Sequence, residues 1–475
     1  MSTHEFRIEK DLLGEKPVPK DAFYGVQTLR AIENFSITGY KIHRSRIVAM
    51  GMVKKAAALA NMEIGLLDKD IGEQIADASQ AVIDGLYHEH FMVDPIQGGA
   101  GTSINMNANE VIANIALTRM GHEKGTYTVV DPNDHVNKSQ STNDSVPTSV
   151  CIATQIELNE LLVVMESLHT TFKEKAAEFD SVIKMGRTHL QDAVPIRLGQ
   201  EFDAYARVLK RDIQRISRTR QGLNSVNMGA TAVGTGLNAE KRYIELVIEK
   251  LRSITGFPIQ SAESLVDATQ NSDVFAEVSA MLKVCMINMS KMANDLRIMA
   301  SGPRCGLAEI NLPERQPGSS IMPGKINPVM PELINQIAFQ VIGNDNTICL
   351  AVEAGQLELN VMHPILVYNL IQSIEIMKNA FKSFNELCLK GITANEERLR
   401  NMVEQSVGIV TAINPHIGYK ASSNIAREAI ETGKSVREIC LRDKILTAEQ
   451  LDVILNPYEM TNIGISGASL LFKEK

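Results

Sequence analysis

Residues 147–175 read PTSVCIATQIELNELLVVMESLHTTFKEK, with no glycine and no proline after the first position. Leu158, Leu161, Leu162, Met165, Leu168 and Phe172 recur at three- and four-residue steps. That spacing lines one face of a helix with apolar side chains. The same pattern returns from about Gly199 to Asn224 (Phe202, Tyr205, Leu209, Ile213, Ile216) and from about Asn271 to Met299 (Val274, Phe275, Val278, Leu282, Cys285, Met289, Met292, Leu296). Two more helices are expected from Pro331 to about Ala354 and from Pro364 to about Leu389, the latter carrying Leu366, Leu370, Ile374, Met377 and Phe381. Five long helices joined by irregular segments imply a mainly all-α protein with an elongated central five-helix bundle. The bundle is expected over residues 143–397, between an N-terminal domain (1–142) and a small C-terminal helical domain (398–475). Met286, Met289 and Met292 follow helical spacing and read as adaptable core filler.

Composition narrows the function classes. The 475 residues are 44% hydrophobic and 22% charged, an ordinary globular balance, and the net charge of -8 argues against a nucleic-acid surface. No apolar run reaches the roughly 18–20 residues of a membrane helix. The start, Met1 to Arg7, lacks the order of a signal peptide, so a cytoplasmic location is expected with no membrane partner. The six cysteines are far apart and form no Cys-x-x-Cys, so they are expected to be reduced thiols, mostly buried. His88-Glu89-His90 lacks the one-turn spacing of two metal ligands, and neither a metal site nor a cofactor is expected.

Four polar stretches adjoin expected helices: Gly98 to Glu110, Asn137 to Asp144, Gly186 to Asp192 and Pro317 to Pro328. Helix N-termini offer free N–H groups and partial positive charge, which suits an anionic ligand. The last stretch resembles a phosphate loop only superficially. Five residues separate Gly318 from Gly324, one too many, and Ile326 follows Lys325 where a metal-binding hydroxyl is needed. Gly234-Thr235-Gly236-Leu237-Asn238-Ala239 loosely fits a dinucleotide fingerprint but follows a helix, and the chain lacks alternating β and α units. Ser141 precedes the first long helix and His189 follows it, and about 30 residues at 1.5 Å each set the two ends roughly 45 Å apart. If both serve one small ligand, a second subunit must supply one of them, so a symmetric oligomer is expected.

The motifs, in this order, resemble the aspartase and fumarase superfamily. The resemblance runs from Tyr24-Gly25-Val26-Gln27-Thr28 through Asn414-Pro415-His416-Ile417-Gly418-Tyr419, and Gly318-Ser319-Ser320-Ile321-Met322-Pro323-Gly324-Lys325-Ile326-Asn327-Pro328 looks like that superfamily's signature loop. The flanks separate ammonia release from water addition. Gly101-Thr102-Ser103-Ile104-Asn105-Met106-Asn107, Ser141-Thr142-Asn143-Asp144, Val194-Pro195-Ile196-Arg197, Leu312-Pro313-Glu314-Arg315-Gln316 and Pro328-Val329-Met330-Pro331 follow the ammonia-releasing versions. The resemblance therefore implies reversible conversion of L-aspartate to fumarate and ammonium without a cofactor, in a homotetramer whose active sites are shared between subunits. A class II fumarate hydratase is the alternative. Asp131 stands where relatives more often have histidine, which puts an accessory anion site near Asp131 to His135 in doubt and reads as a turn residue.

The resemblance also implies roles. Removing a proton beside a carboxylate builds a second negative charge on it, giving an aci-carboxylate that needs converging donors. Ser319 is implied as the base that takes the Cβ proton, and Lys325 and Asn327 as a cation and an amide donor for a substrate carboxylate. Thr102, Ser141, Thr142 and Thr188 are hydroxyl donors, and Asn143 is placed to meet the amino group. Helix capping is the lesser alternative for Ser141 and Thr142; turn-shaping is the lesser alternative for Ser319 and the favoured reading for Ser320. His189 is expected to bind substrate rather than act as an acid, since an already protonated amino group can leave without one.

Overall fold

The computed structural model describes residues 5–471; the first four residues of the amino-terminal stretch read above lie outside them. Helix dominates, and among the described residues strands pair only two by two. The alternating strand–helix units of a dinucleotide fold are therefore missing among them. A hairpin of β1 (Phe6–Asp11) and β2 (Gly14–Pro19) leads into α1 (Val26–Asn34), α2 (Arg44–Glu63), α3 (Lys69–Ile83) and α4 (Thr102–Arg119). The Tyr24–Thr28 motif wraps around Glu110 of α4. That buried carboxylate accepts the N–H groups of Gly25 (2.8 Å), Gln27 (2.8 Å) and Thr28 (3.1 Å) and the Thr28 hydroxyl (2.6 Å). It satisfies the free N–H groups at the start of α1 from another helix.

The helix anticipated from Pro147 begins earlier: α5 spans Thr142–Glu178. Proline has no N–H to give the carbonyl four residues back. That carbonyl, on Asn143, instead accepts a hydrogen bond from Asn227 Nδ2 at 2.9 Å, so the helix continues through the proline. Leu158, Leu161, Met165, Leu168 and Phe172 are fully buried. Among the described residues α5 alone is long and apolar enough to cross a membrane, yet 67% of its most apolar window is buried inside the fold.

Next come the hairpin strands β3 (Ile183–Thr188) and β4 (Gln191–Arg197), then α6 (Leu198–Thr219), α7 (Lys241–Thr255), α8 (Leu265–Gln270), α9 (Asp273–Met299), α10 (Val329–Glu353) and α11 (His363–Leu387). Shorter helices close the chain: α12 (Glu396–Gln405), α13 (Val410–Ile417), α14 (Tyr419–Thr432), α15 (Val436–Arg442), α16 (Ala448–Ile454) and α17 (Pro457–Thr461). All five long helices anticipated from periodicity are present, and α6, α9, α10 and α11 start within two residues of the expected positions.

The chain divides into two compact units. The first gathers residues up to Val163 with Asp212–Met286 and Ile337–Lys378; the second holds Val164–Arg211, Ile287–Gln336 and the chain from Asn379. In the first, Lys378 of α11 pairs with Glu157 (3.0 Å) and Glu160 (2.6 Å) of α5, and Asp345 of α10 accepts from Ser279 of α9 (2.7 Å). In the second, Lys173 of α5 pairs with Asp203 of α6 (2.6 Å), Tyr205 of α6 donates to Asp295 of α9 (3.0 Å), and Asn335 of α10 bonds Ser290 of α9 (2.8 Å). Long helices thus pack side by side within each unit around buried apolar faces. The second unit also has a satellite core in which Met185 of β3 packs with Ile409, Ile413, Ile425, Ile439 and Leu451 of the closing helices.

Candidate active site

Thr102, Ser141, Thr142 and Asn143 fall in the first unit, and Thr188, His189, Ser319, Lys325 and Asn327 in the second. In the first, three hydroxyls stand at the N-termini of two helices. Thr102 opens α4 and Thr142 opens α5, with Ser141 just before it. Gly101 permits the approach. A Cβ there would lie 2.9 Å from Val146 of α5, and its φ of +92° lies in the left-handed region.

Hydrogen bonds decide what each group can still do. Ser141 Oγ accepts the Asn143 N–H (3.1 Å) while its own N–H donates to Asp144 Oδ1 (2.9 Å). It therefore caps the helix, and capping uses only an acceptor, leaving the hydroxyl hydrogen for a ligand. Thr142 Oγ1 accepts from Asn105 Nδ2 at 3.2 Å, which likewise turns its hydrogen outward. Thr102 donates to the Gly99 carbonyl (2.7 Å) and must rotate to serve a ligand. The Asn143 amide donates to the Ala232 carbonyl at 2.8 Å.

Beneath these donors lies a residue that the sequence reading missed. Lys54 of α2 is fully buried, and its Nζ donates to Asn105 Oδ1 (2.7 Å), Gln140 Oε1 (2.9 Å) and Asn137 Oδ1 (3.0 Å). Burial pulls the ammonium down to about 7, against the opposing pull of Asp144. By holding Asn105 Oδ1, Lys54 fixes which way Asn105 presents its N–H to Thr142, a polarised chain ending on an outward hydroxyl. Asp144 is also fully buried; its second oxygen accepts the N–H groups of Gly229 (3.2 Å) and Thr231 (3.0 Å). Burial pushes its carboxyl up to about 6, against those donors and Lys54. The Lys54-Lys55 pair looks like a solvated face. The available signal was that Ile47, Met50, Lys54, Ala57 and Asn61 share one helical stripe.

In the second unit Thr188 ends β3, and His189-Leu190 forms the two-residue turn to β4, with Thr188 paired to Gln191. Both turn residues have positive φ (+54° and +59°) although neither is glycine. Strain of this kind persists only where the surroundings impose it and clusters at functional positions. The hairpin is anchored through Glu309, which is fully buried and meets Arg187 Nη1 at 2.5 Å and Lys184 Nζ at 2.8 Å.

The signature loop is closed at its neck. Pro317 bridges Ile326, and the Gly318 N–H donates to the Lys325 carbonyl (2.7 Å). A Cβ on Gly318 would sit 2.4 Å from that carbonyl oxygen, so only glycine fits. Asn327 Nδ2 donates to the Gly318 carbonyl (3.1 Å) and keeps a second N–H in reserve. Ser319 Oγ accepts the Ile321 N–H at 3.2 Å, a bond that shapes the turn and also stabilises negative charge on that oxygen.

Comparison with known proteins follows these features. The family described as lyase matches residues 14–343, and a fumarase C C-terminus family matches residues 409–462. The aspartate ammonia-lyase of Bacillus subtilis is 66% identical over 99% of both chains, and that of Escherichia coli is 50% identical over 96% of each. Among solved structures, a fumarate lyase:delta crystallin from Brucella melitensis superposes with TM-score 0.94 at 46% identity, covering 96% of this chain and 100% of that one. A class II fumarase from Schistosoma mansoni gives 0.91 at 33% identity, covering 96% and 99%. Fold and matches together define an enzyme of the lyase class. The chain belongs to the aspartase and fumarase superfamily.

Proposed function

We propose that this enzyme catalyses the reversible deamination of L-aspartate to fumarate and ammonium. The observation that carries the reading is 66% identity over nearly the whole chain to an aspartate ammonia-lyase, against 33% to a class II fumarase of almost the same fold. Fold alone does not separate the two activities. Purified enzyme is expected to form fumarate, followed by ultraviolet absorbance, from L-aspartate and not from L-malate; fumarate from malate alone would make it a hydratase.

In this proposal Ser319 takes the Cβ proton, and the C–H electron pair moves into the adjacent carboxylate to give the aci-carboxylate. Re-forming the carboxylate makes the Cα–Cβ double bond and expels the amino group with the C–N electron pair. The group leaves as ammonia and becomes ammonium in water. Thr102, Ser141, Thr142 and Thr188 hold the carboxylate that gains charge, Asn143 meets the amino group, and Lys325 and Asn327 hold a carboxylate, with His189 orienting substrate. Supporting these roles are the free hydroxyl hydrogens of Ser141 and Thr142 and the spare N–H of Asn327.

The proposal includes a homotetramer with sites shared between subunits. Its support is α5, whose 37 residues make about 55 Å of helix between Thr142 and the segment leading to Thr188. Mixing Ser141→Ala and His189→Ala enzymes and letting them reassemble is expected to restore activity that neither variant has alone. Lasting inactivity in verified mixed oligomers would place both residues of a site on one chain. A cytoplasmic location belongs to the same proposal, supported by six free cysteines, four of them buried. So does a three-part division near residues 142 and 397, supported by the starts of α5 and α12.

A further inference from the structure

The first unit contains a cavity of about 250 Å³ walled by α2, α4, α5, α11 and the segments before α2 and α4. Its one arginine is Arg46 of α2, only 6% exposed. Among the described residues no carbonyl, hydroxyl or carboxylate accepts from this guanidinium, and Nη1 is sealed from solvent without a partner. Among the described residues no carboxylate forms an ion pair with Arg46. Glu157 pairs with Lys378 at 3.0 Å, and the wall residue Glu375 lies 3.4 Å from His43. A buried cation without a counter-charge is strongly unfavourable, far more so than a buried neutral group.

We propose that this cavity binds a small carboxylate with an apolar body, at a site separate from the reacting centre. The carboxylate supplies the missing counter-charge to Arg46, and the body lies against Ile104, Val146, Val367 and Ile371. A monoanion matches the one enclosed cation better than phosphate does, since the second cation on the wall, Lys41, is exposed. His363, another wall residue, is 5% exposed; its Nε2 is engaged by Ser272 Oγ at 3.0 Å, and its Nδ1 is sealed from solvent without a partner. Tyr40 and Tyr368 add an aromatic wall, stacked with centroids 6.1 Å apart. None of Ser141, Thr142, Asn143 or Thr102 lines the cavity; Gly101 and Val146 are the wall residues next to the donor loops.

The test uses the whole purified enzyme with benzoate as probe and benzamide, its uncharged isostere, as control, both in saturating fumarate so that the reacting centre is filled. Calorimetry is expected to find one benzoate per chain and no benzamide binding, and benzoate is expected to raise Tm. Arg46→Leu is expected to weaken benzoate at least tenfold, keep its turnover of L-aspartate, and melt higher than the parent without ligand because the unpaired charge has gone. Val367→Phe, which fills the cavity and leaves the guanidinium in place, is expected to abolish benzoate binding as well. Equal benzoate binding by parent and both variants, or by none of them, would overturn the site. A lower Tm for ligand-free Arg46→Leu would also overturn it, by showing that Arg46 already has a carboxylate partner in the assembled enzyme.

Discussion

Ser319→Ala is expected to lower kcat for L-aspartate by about 10²–10⁴-fold, the usual contribution of a positioned base, while fumarate still binds. The separation of these effects follows from how the loop is held. Its shape rests on the Pro317–Ile326 bridge, the Gly318 N–H on the Lys325 carbonyl and the Asn327 amide on the Gly318 carbonyl, none of which uses the serine side chain. Only the Ile321 N–H loses its acceptor, and that group sits on an exposed turn where water replaces it. Lys325 and Asn327 therefore stay where they meet a carboxylate. Ser320, exposed and next in sequence, is the control, and its alanine variant is expected to keep near-normal turnover. Single-turnover kinetics with fumarate titration checks both variants. Near-normal kcat for Ser319→Ala would remove it as the base and leave it as the turn residue that its bond to Ile321 also describes.

The residues that sequence reading reached were those whose meaning is local. The apolar stripe of α5 is local, and so is the composition of the signature loop. Its reading stopped at Pro147 because the rule that proline starts a helix is local too; the donor that overrides it, Asn227, comes from a distant loop. The turn at His189-Leu190 gave no signal, since two-residue turns with positive φ are recognised by asparagine and glycine, and this one has neither. Glu309 gave no signal, and Lys54 only its place on a helical stripe, for a stronger reason. A buried charge is defined by partners far along the chain: Asn105, Asn137 and Gln140 for the lysine, Lys184 and Arg187 for the glutamate. Neither the spacing nor the composition of the segments that carry them reports those partners.

Glu309→Gln is expected to destabilise the enzyme by about 3–5 kcal/mol, because it leaves two enclosed cations facing a neutral amide. Lys184 is the more exposed to this loss of charge. Its side chain is 4% accessible, and its remaining anion, Glu201 at 3.0 Å, has its own carboxyl pushed up by burial. Arg187 loses its 2.5 Å contact one residue before Thr188, so the damage reaches the strained turn that presents His189. The backbone of residue 309 remains tied to Met299 and Asn395 at 2.8 and 2.9 Å, which keeps the site's frame and confines the effect to the charges. Urea unfolding at fixed protein concentration is expected to show the stability loss, and KM for L-aspartate to rise with it as the hairpin tip loses its anchor. Adding Lys184→Met to Glu309→Gln should recover part of the stability, since it removes one stranded cation and leaves apolar volume in its place. Recovery of stability without recovery of KM would assign Arg187 the larger share in holding the tip; an unchanged unfolding midpoint in the single variant would show that Glu309 does not anchor the hairpin.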